Sequence, residues 1–169
     1  NHENIFDEFD TIILPGVGAF ETAVKNLNDS GLFNDLKKVS LTKTKIIGIC
    51  LGMQLLLSKS YEFGEHIGLD IIKGSVKPFK ETGDLKIPHM GWNNIETNED
   101  SFLEYEGDYY FVHSYYVELD NEEEVLFKTD YGTEFTSGIF QYPNIFGVQF
   151  HPEKSQEAGL KLLKKLIEC

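Results

Sequence analysis

Apolar residues recur with two different periods along the chain, and the character changes near residue 70. Asp10–Leu14 (DTIIL) is a continuous apolar run closed by Pro15-Gly16, the pattern of a strand buried on both faces. Phe20–Leu27 and Leu32–Val39 have helical spacing, broken at Ser30-Gly31. Thr44–Ile49 (TKIIGI) reads as a second buried strand, and the helical run LGMQLLL follows it at once. Alternating strands and helices of this kind predict an α/β fold: an open, mostly parallel central sheet with helices on both faces.

Beyond residue 70 the pattern is strand-like. Ile71–Phe79, Trp92–Thr97, Tyr109–Glu118, Val125–Thr129, Thr136–Phe140 and Ile145–Phe150 alternate or are rich in β-branched and aromatic residues. Turn residues at Gly83, Asn98, Gly107, Gly132 and Pro143-Asn144 separate them. Ser155–Ile167 closes the chain as an amphipathic helix, with Ser155 as its cap and Leu160, Leu163 and Ile167 on one face. The second half is therefore expected to be an antiparallel β excursion inserted before the last strand and helix. With no repeat and no linker-like stretch, residues 1–169 read as a single domain.

Composition narrows the function classes. Hydrophobic residues at 41% and aromatics at 13% are enough for a packed core. The formal net charge of −13 disfavours phosphate backbones and anionic membrane surfaces, so neither nucleic acid nor membrane is an expected partner. No apolar run is long enough to span a bilayer, and the opening NHENIFDEFD is unlike a signal peptide. Cys50 and the terminal Cys169 do not make a disulfide framework, and a reduced, cytoplasmic chain is expected. His2, His66, His89 and His113 form no convincing metal set and read as structural, so no metal or cofactor is expected.

Three segments carry candidate chemistry. Gly48-Ile49-Cys50-Leu51-Gly52 lies between a strand and a helix, the pattern of a nucleophile elbow. The following helix offers free N–H groups that would lower a thiol pKa and hold an oxyanion. A small core cysteine beside packing glycines reads as well from this motif alone. Gln149-Phe150-His151-Pro152-Glu153 ends a strand and supplies a base with a carboxylate two residues on, able to fix its tautomer. Leu14-Pro15-Gly16-Val17-Gly18-Ala19 also follows a strand, and its glycines let backbone N–H groups approach an anion. An ordinary strand-to-helix turn explains it equally. All three sit at strand ends, where open parallel sheets place their sites.

In this order, PGVG at 15–18, GICLGMQLL at 48–56 and GVQFHPEKS at 147–155 resemble the class I glutamine amidotransferases over nearly the whole chain. IPHMGWN at 87–93 and YFVHSYY at 110–116 resemble the glutaminase subunits that feed a cyclase in histidine biosynthesis. The resemblance implies a Cys50–His151–Glu153 triad acting on L-glutamine. It implies oxyanion donors at Leu51, Val17 and Gly18, and a glutamine pocket of Gly16, Gly52, Gln54, Ser114 and Tyr115. It further implies a heterodimer with a synthase or cyclase subunit of (β/α)₈ type, facing Trp92, Tyr110 and Lys154. Family members usually begin with a further strand and helix, which are expected to be missing ahead of Asp10 here. A paralogue feeding a sugar amidotransferase, a stand-alone cysteine hydrolase and a non-catalytic binding protein of the same fold stay open.

Overall fold

In the computed structural model, residues 5, 6, 8–80 and 85–169 are described, so His2 and the turn expected at Gly83 lie outside the described residues. The first half runs β1 (Thr11–Leu14), α1 (Phe20–Asp29), α2 (Leu32–Val39), β2 (Lys45–Ile49), α3 (Leu51–Leu55), β3 (Leu57–Ser60) and β4 (His66–Ile67). It continues through β5 (Ile72–Pro78), β6 (His89–Ile95), β7 (Gly107–His113), β8 (Tyr115–Leu119), β9 (Val125–Asp130) and β10 (Glu134–Gln141). β11 (Ile145–Val148) and α4 (Gln156–Glu168) end the chain.

β2 is buried at every position because both of its faces are covered. Ile46 joins a core with Phe20, Leu36, Val39 and Met53 from α1, α2 and α3. Ile47 and Ile49 point the other way, into a core with Phe111, Phe150, Leu162 and Leu166. β11 repeats the alternation, with Ile145 on the first side and Phe146 and Val148 on the second.

The main sheet runs β1-β2-β11-β10-β8-β5-β3-β4, with β9 paired to β10. β1, β2 and β11 are mutually parallel. Antiparallel pairing begins at β10 and reappears at β8, the expected excursion. The parallel register sets Leu14 beside Gly48 and Gly48 beside Gly147. Three carboxyl ends therefore stop level, delivering the Pro15 turn, Cys50 and His151 to one end of the sheet.

Several boundaries differ from the sequence expectation. The helix after Cys50 ends at Leu55, and Leu57–Ser60 turns into a strand pairing with β5. An unbroken apolar run cannot distinguish a buried helix from a buried strand. Tyr109–Glu118 is two strands rather than one. β7 pairs with β6 in a separate two-stranded sheet, and the chain crosses at Ser114 into β8 of the main sheet. β6 begins at His89 rather than Trp92.

α4 turns a different face inward. Gly159, Leu162 and Leu166 are buried, whereas Leu160 is 60% and Ile167 41% exposed. A Cβ at Gly159 would come within 1.9 Å of the Pro152 carbonyl oxygen. That close approach fixes the rotation of the helix, and glycine faces the core where a leucine was expected.

Candidate active site

Cys50 has φ 53° and ψ −112°, a backbone strain typical of a functional elbow. The neighbouring glycines make the turn possible. A Cβ at Gly52 would lie 1.7 Å from the Leu14 carbonyl oxygen, and one at Gly48 would lie 2.7 Å from the Met53 backbone. Gly52 thus packs against Leu14 and is not among the residues that line the cavity in front of Cys50. Gly16 also packs against Leu51 rather than lining it.

A cavity of about 440 Å³ opens in front of Cys50. Val17, Gly18, Leu51, Gln54, Ser114, Tyr115 and His151, each named as a candidate above, line it. Glu62, Phe63, Val112 and His113 line it too and were not among the expected site residues. Glu62 Oε2 accepts the Phe20 N–H at 2.6 Å, so this carboxylate ties the mouth of the cavity to the start of α1. That contact spans 42 residues and has no local signature.

His151 is 3% exposed, and its Nδ1 lies 2.7 Å from Glu153 Oε1. A carboxylate only accepts, so Nδ1 carries the proton. In the tautomer with the proton on Nδ1, Nε2 holds the lone pair, and this buried atom has no hydrogen-bond partner. Cys50 Sγ contacts the Val112 carbonyl at 4.0 Å and receives the Gln149 amide at 3.6 Å. No hydrogen bond joins Cys50 to His151 in this structure, though both line one cavity.

Burial pushes the Cys50 thiol up to about 11, against the smaller pull of the Leu51 N–H and the Gln149 amide. The short helix does not lower the thiol as expected, because desolvation outweighs it. The resting sulfur is therefore a thiol that needs a base, and His151, whose Nε2 is unpaired, lines the same cavity.

Gln54 donates from Nε2 to the Tyr115 carbonyl at 3.3 Å and to Gln149 Oε1 at 3.0 Å. With both amide hydrogens so used, its own carbonyl oxygen is the group left for a ligand. Ser155 precedes α4 but makes no side-chain cap. Its hydroxyl instead accepts the Tyr110 N–H at 3.0 Å and donates to the His151 carbonyl at 2.6 Å, clamping β7 to the histidine turn.

Trp92, Tyr110 and Lys154 do come together. Trp92, 49% exposed, stacks edge-on against Tyr110 with ring centroids 6.2 Å apart, and Lys154 Nζ lies 6.0 Å over the same tyrosine ring. The His151 N–H is bonded to the Tyr110 carbonyl at 2.9 Å, so this patch adjoins His151 through backbone.

The family model for glutamine amidotransferase class-I matches residues 1–169. An imidazole glycerol phosphate synthase subunit HisH from Sulfurimonas denitrificans is 48% identical, the match covering 96% of this chain and 81% of that protein. The proteins of the same name from Carboxydothermus hydrogenoformans and Aquifex aeolicus are also 48% identical, across 95% and 97% of this chain and 81% and 80% of theirs. A crystal structure of a glutamine amidotransferase superposes with a TM-score of 0.73 at 17% identity, covering 96% of this chain and 82% of that one. The PurLQS structure from Thermotoga maritima gives 0.69 at 18% identity, covering 96% and 80%. These last two speak for the fold alone.

Proposed function

The chain belongs to the class-I glutamine amidotransferases, and we propose that Cys50, His151 and Glu153 are the catalytic triad with which it hydrolyses L-glutamine. It is the glutaminase subunit of an imidazole glycerol phosphate synthase, serving histidine biosynthesis. One glutaminase domain, working in the cytoplasm where Cys50 stays reduced, fits this role. The observation that supports the active-site reading is the buried, unpartnered Nε2 of His151, a residue that lines one cavity with the Cys50 thiol.

The chemistry follows from these groups. His151 Nε2 takes the Cys50 proton, and the thiolate attacks the carboxamide carbon of glutamine. The carbonyl oxygen becomes an oxyanion held by the Leu51 N–H and a backbone N–H of the Val17–Gly18 segment. The imidazolium, steadied by Glu153, returns its proton to the leaving nitrogen, and ammonia departs. A γ-glutamyl thioester remains on Cys50. Water, deprotonated by His151, attacks it and releases glutamate with the thiol restored. Gln54 and the Ser114–Tyr115 junction line the cavity beside the sulfur and suit the polar end of the substrate.

The finer partner assignment is a heterodimer with a (β/α)₈ cyclase docking on Trp92, Tyr110 and Lys154. Gly18 has φ +101°, a conformation glycine enters and leaves cheaply, so the oxyanion segment is suited to realignment by the partner. Glutamate release is measured for the chain alone, then with a cyclase subunit and its phosphorylated nucleotide ligand. A rise of about 10²–10³-fold is expected, the worth of one oxyanion donor. Equal rates would contradict the gating, and absence of release under both conditions would contradict the glutaminase reading.

A further inference from the structure

Gln149 is fully buried, belongs to none of the roles above, and sits between the two functional ends of the cavity. Its Nε2 donates to Cys50 Sγ at 3.6 Å, and its Oε1 accepts from Gln54 Nε2 at 3.0 Å. Its backbone N–H is bonded to the Ser137 carbonyl at 2.9 Å, holding the residue in register between β11 and β10. Gln54 is itself fixed by the Tyr115 carbonyl, so the amide of Gln149 cannot flip without losing the Gln54 bond. Its N–H end is therefore locked onto the sulfur.

Resting on the triad reading, we propose that Gln149 is a further catalytic side chain, whose amide N–H steadies the Cys50 thiolate once His151 has taken the proton. A bare thiolate in this buried place is costly, and a donor aimed at the sulfur recovers part of that cost. The amide also pulls the thiol downward, in the direction the role requires. The same side chain braces Gln54, so the groove that meets glutamine and the atom that attacks it share one rigid link. Other groups bear on the sulfur as well. Glu153 and Lys154 act on it electrostatically from the segment after β11, and His151, His113 and Glu62 line the same cavity. None of them offers the amide's combination of a neutral donor with a fixed orientation.

A donor and a packing group predict opposite outcomes. Cys50 is only 7% exposed, so a variant that merely loosened the site would open the thiol and speed its alkylation. A variant that removed a thiolate donor would slow it. In a Cys169→Ser background Cys50 is the sole thiol. Iodoacetamide, which needs no glutamine pocket, is the probe, and modification of Cys50 is followed by intact mass from pH 7 to 9.

Gln149→Met keeps the length and apolar bulk but has no donor. Loss of a hydrogen bond to a charged group lowers the thiolate fraction by about tenfold. The more basic thiolate regains part of this through nucleophilicity, leaving alkylation about three- to fivefold slower. Gln149→Glu keeps the shape and the Gln54 contact but sets a carboxylate against the sulfur, and should be slower still. If Gln149→Met does not fold, this isosteric variant carries the test. Alkylation as fast as in the Cys169→Ser parent, or faster, overturns the proposal. Labelling of the wild-type chain by a glutamine-like electrophile separates the two ideas. Without an adduct on Cys50 the triad reading fails, whereas an adduct with unchanged iodoacetamide kinetics in the variants removes Gln149 alone.

Discussion

Two buried histidine systems stand close together in this molecule, and the protein treats them in opposite ways. His113 lies at the end of β7 and lines the cavity, with Nδ1 2.7 Å from the Tyr115 carbonyl. A carbonyl only accepts, so Nδ1 carries the proton and Nε2 accepts from His89 Nδ1 at 2.9 Å. His89 Nε2 then accepts from Asn93 Nδ2 at 3.2 Å. Every ring nitrogen is used. Burial holds both rings neutral, His89 pulled down to about 4 and His113 to about 3. His151 is equally buried and also has its Nδ1 proton fixed, yet its Nε2 has no partner. Burial does not set His151 apart from these two rings. An unpaired Nε2 on a ring that lines the Cys50 cavity does, since His66 Nε2 is also unpaired but His66 does not line that cavity.

The largest effects should fall on the unsatisfied side. Cys50→Ala and His151→Asn are each expected to lower glutamine turnover with partner present by about 10⁴-fold or more. Neither should shift the urea midpoint far, because little packing is lost. Substantial turnover in either, measured as glutamate release, would put the nucleophile or base elsewhere.

Glu153→Gln should come next, at roughly 10²–10⁴-fold, since the imidazole loses its orienting charge while keeping its place. A wild-type rate would move the third role to another carboxylate.

On the satisfied side the response should be in stability. His113→Leu strands the His89 Nδ1–H, while the Tyr115 carbonyl keeps its bond from Gln54. A stranded buried donor costs about 1–3 kcal/mol, readable by urea unfolding. The double variant His89→Leu/His113→Leu should cost less than the sum of the singles, because Asn93 retains the Asp130 carbonyl. Turnover per folded molecule should fall by less than about tenfold. A loss like that of His151→Asn would erase the distinction between the two systems.

A further effect is in acid. The folded pKa values of His89 and His113 lie below the ordinary 6.5, so the unfolded chain binds more protons below that value. Their contribution to stability is complete above pH 6.5 and declines as pH falls toward about 4 for His89 and about 3 for His113. Urea midpoints should fall across that window in the wild type and fall less in the double leucine variant. Parallel curves would remove these rings as the cause.

Much of this was legible in the sequence. β1, β2, α1 and α2 follow from apolar runs and breaks, and the segments that meet at the sheet end carry their own glycines and strand boundaries. What was not legible depends on distant contacts. The inward face of α4 is chosen by Gly159 against Pro152, and the break at Ser114 is chosen by two sheets competing for one strand-like run. Glu62 enters the cavity through the start of α1, and Gln149 becomes interesting only once Gln54 is seen beside it. His113 looked structural and is hydrogen-bonded as such, yet it also lines the cavity.

The central claim is that the unpaired Nε2 of His151 activates Cys50. It is tested most directly by adding a glutamine-like electrophile to the wild-type chain and to His151→Asn, with the partner present, and following adduct mass by peptide. One adduct on Cys50 and none on Cys169 is expected, formed at least about 10²-fold more slowly in His151→Asn, the lower range for a general base. An adduct on Cys169, or equal rates at Cys50 in the two proteins, would contradict it.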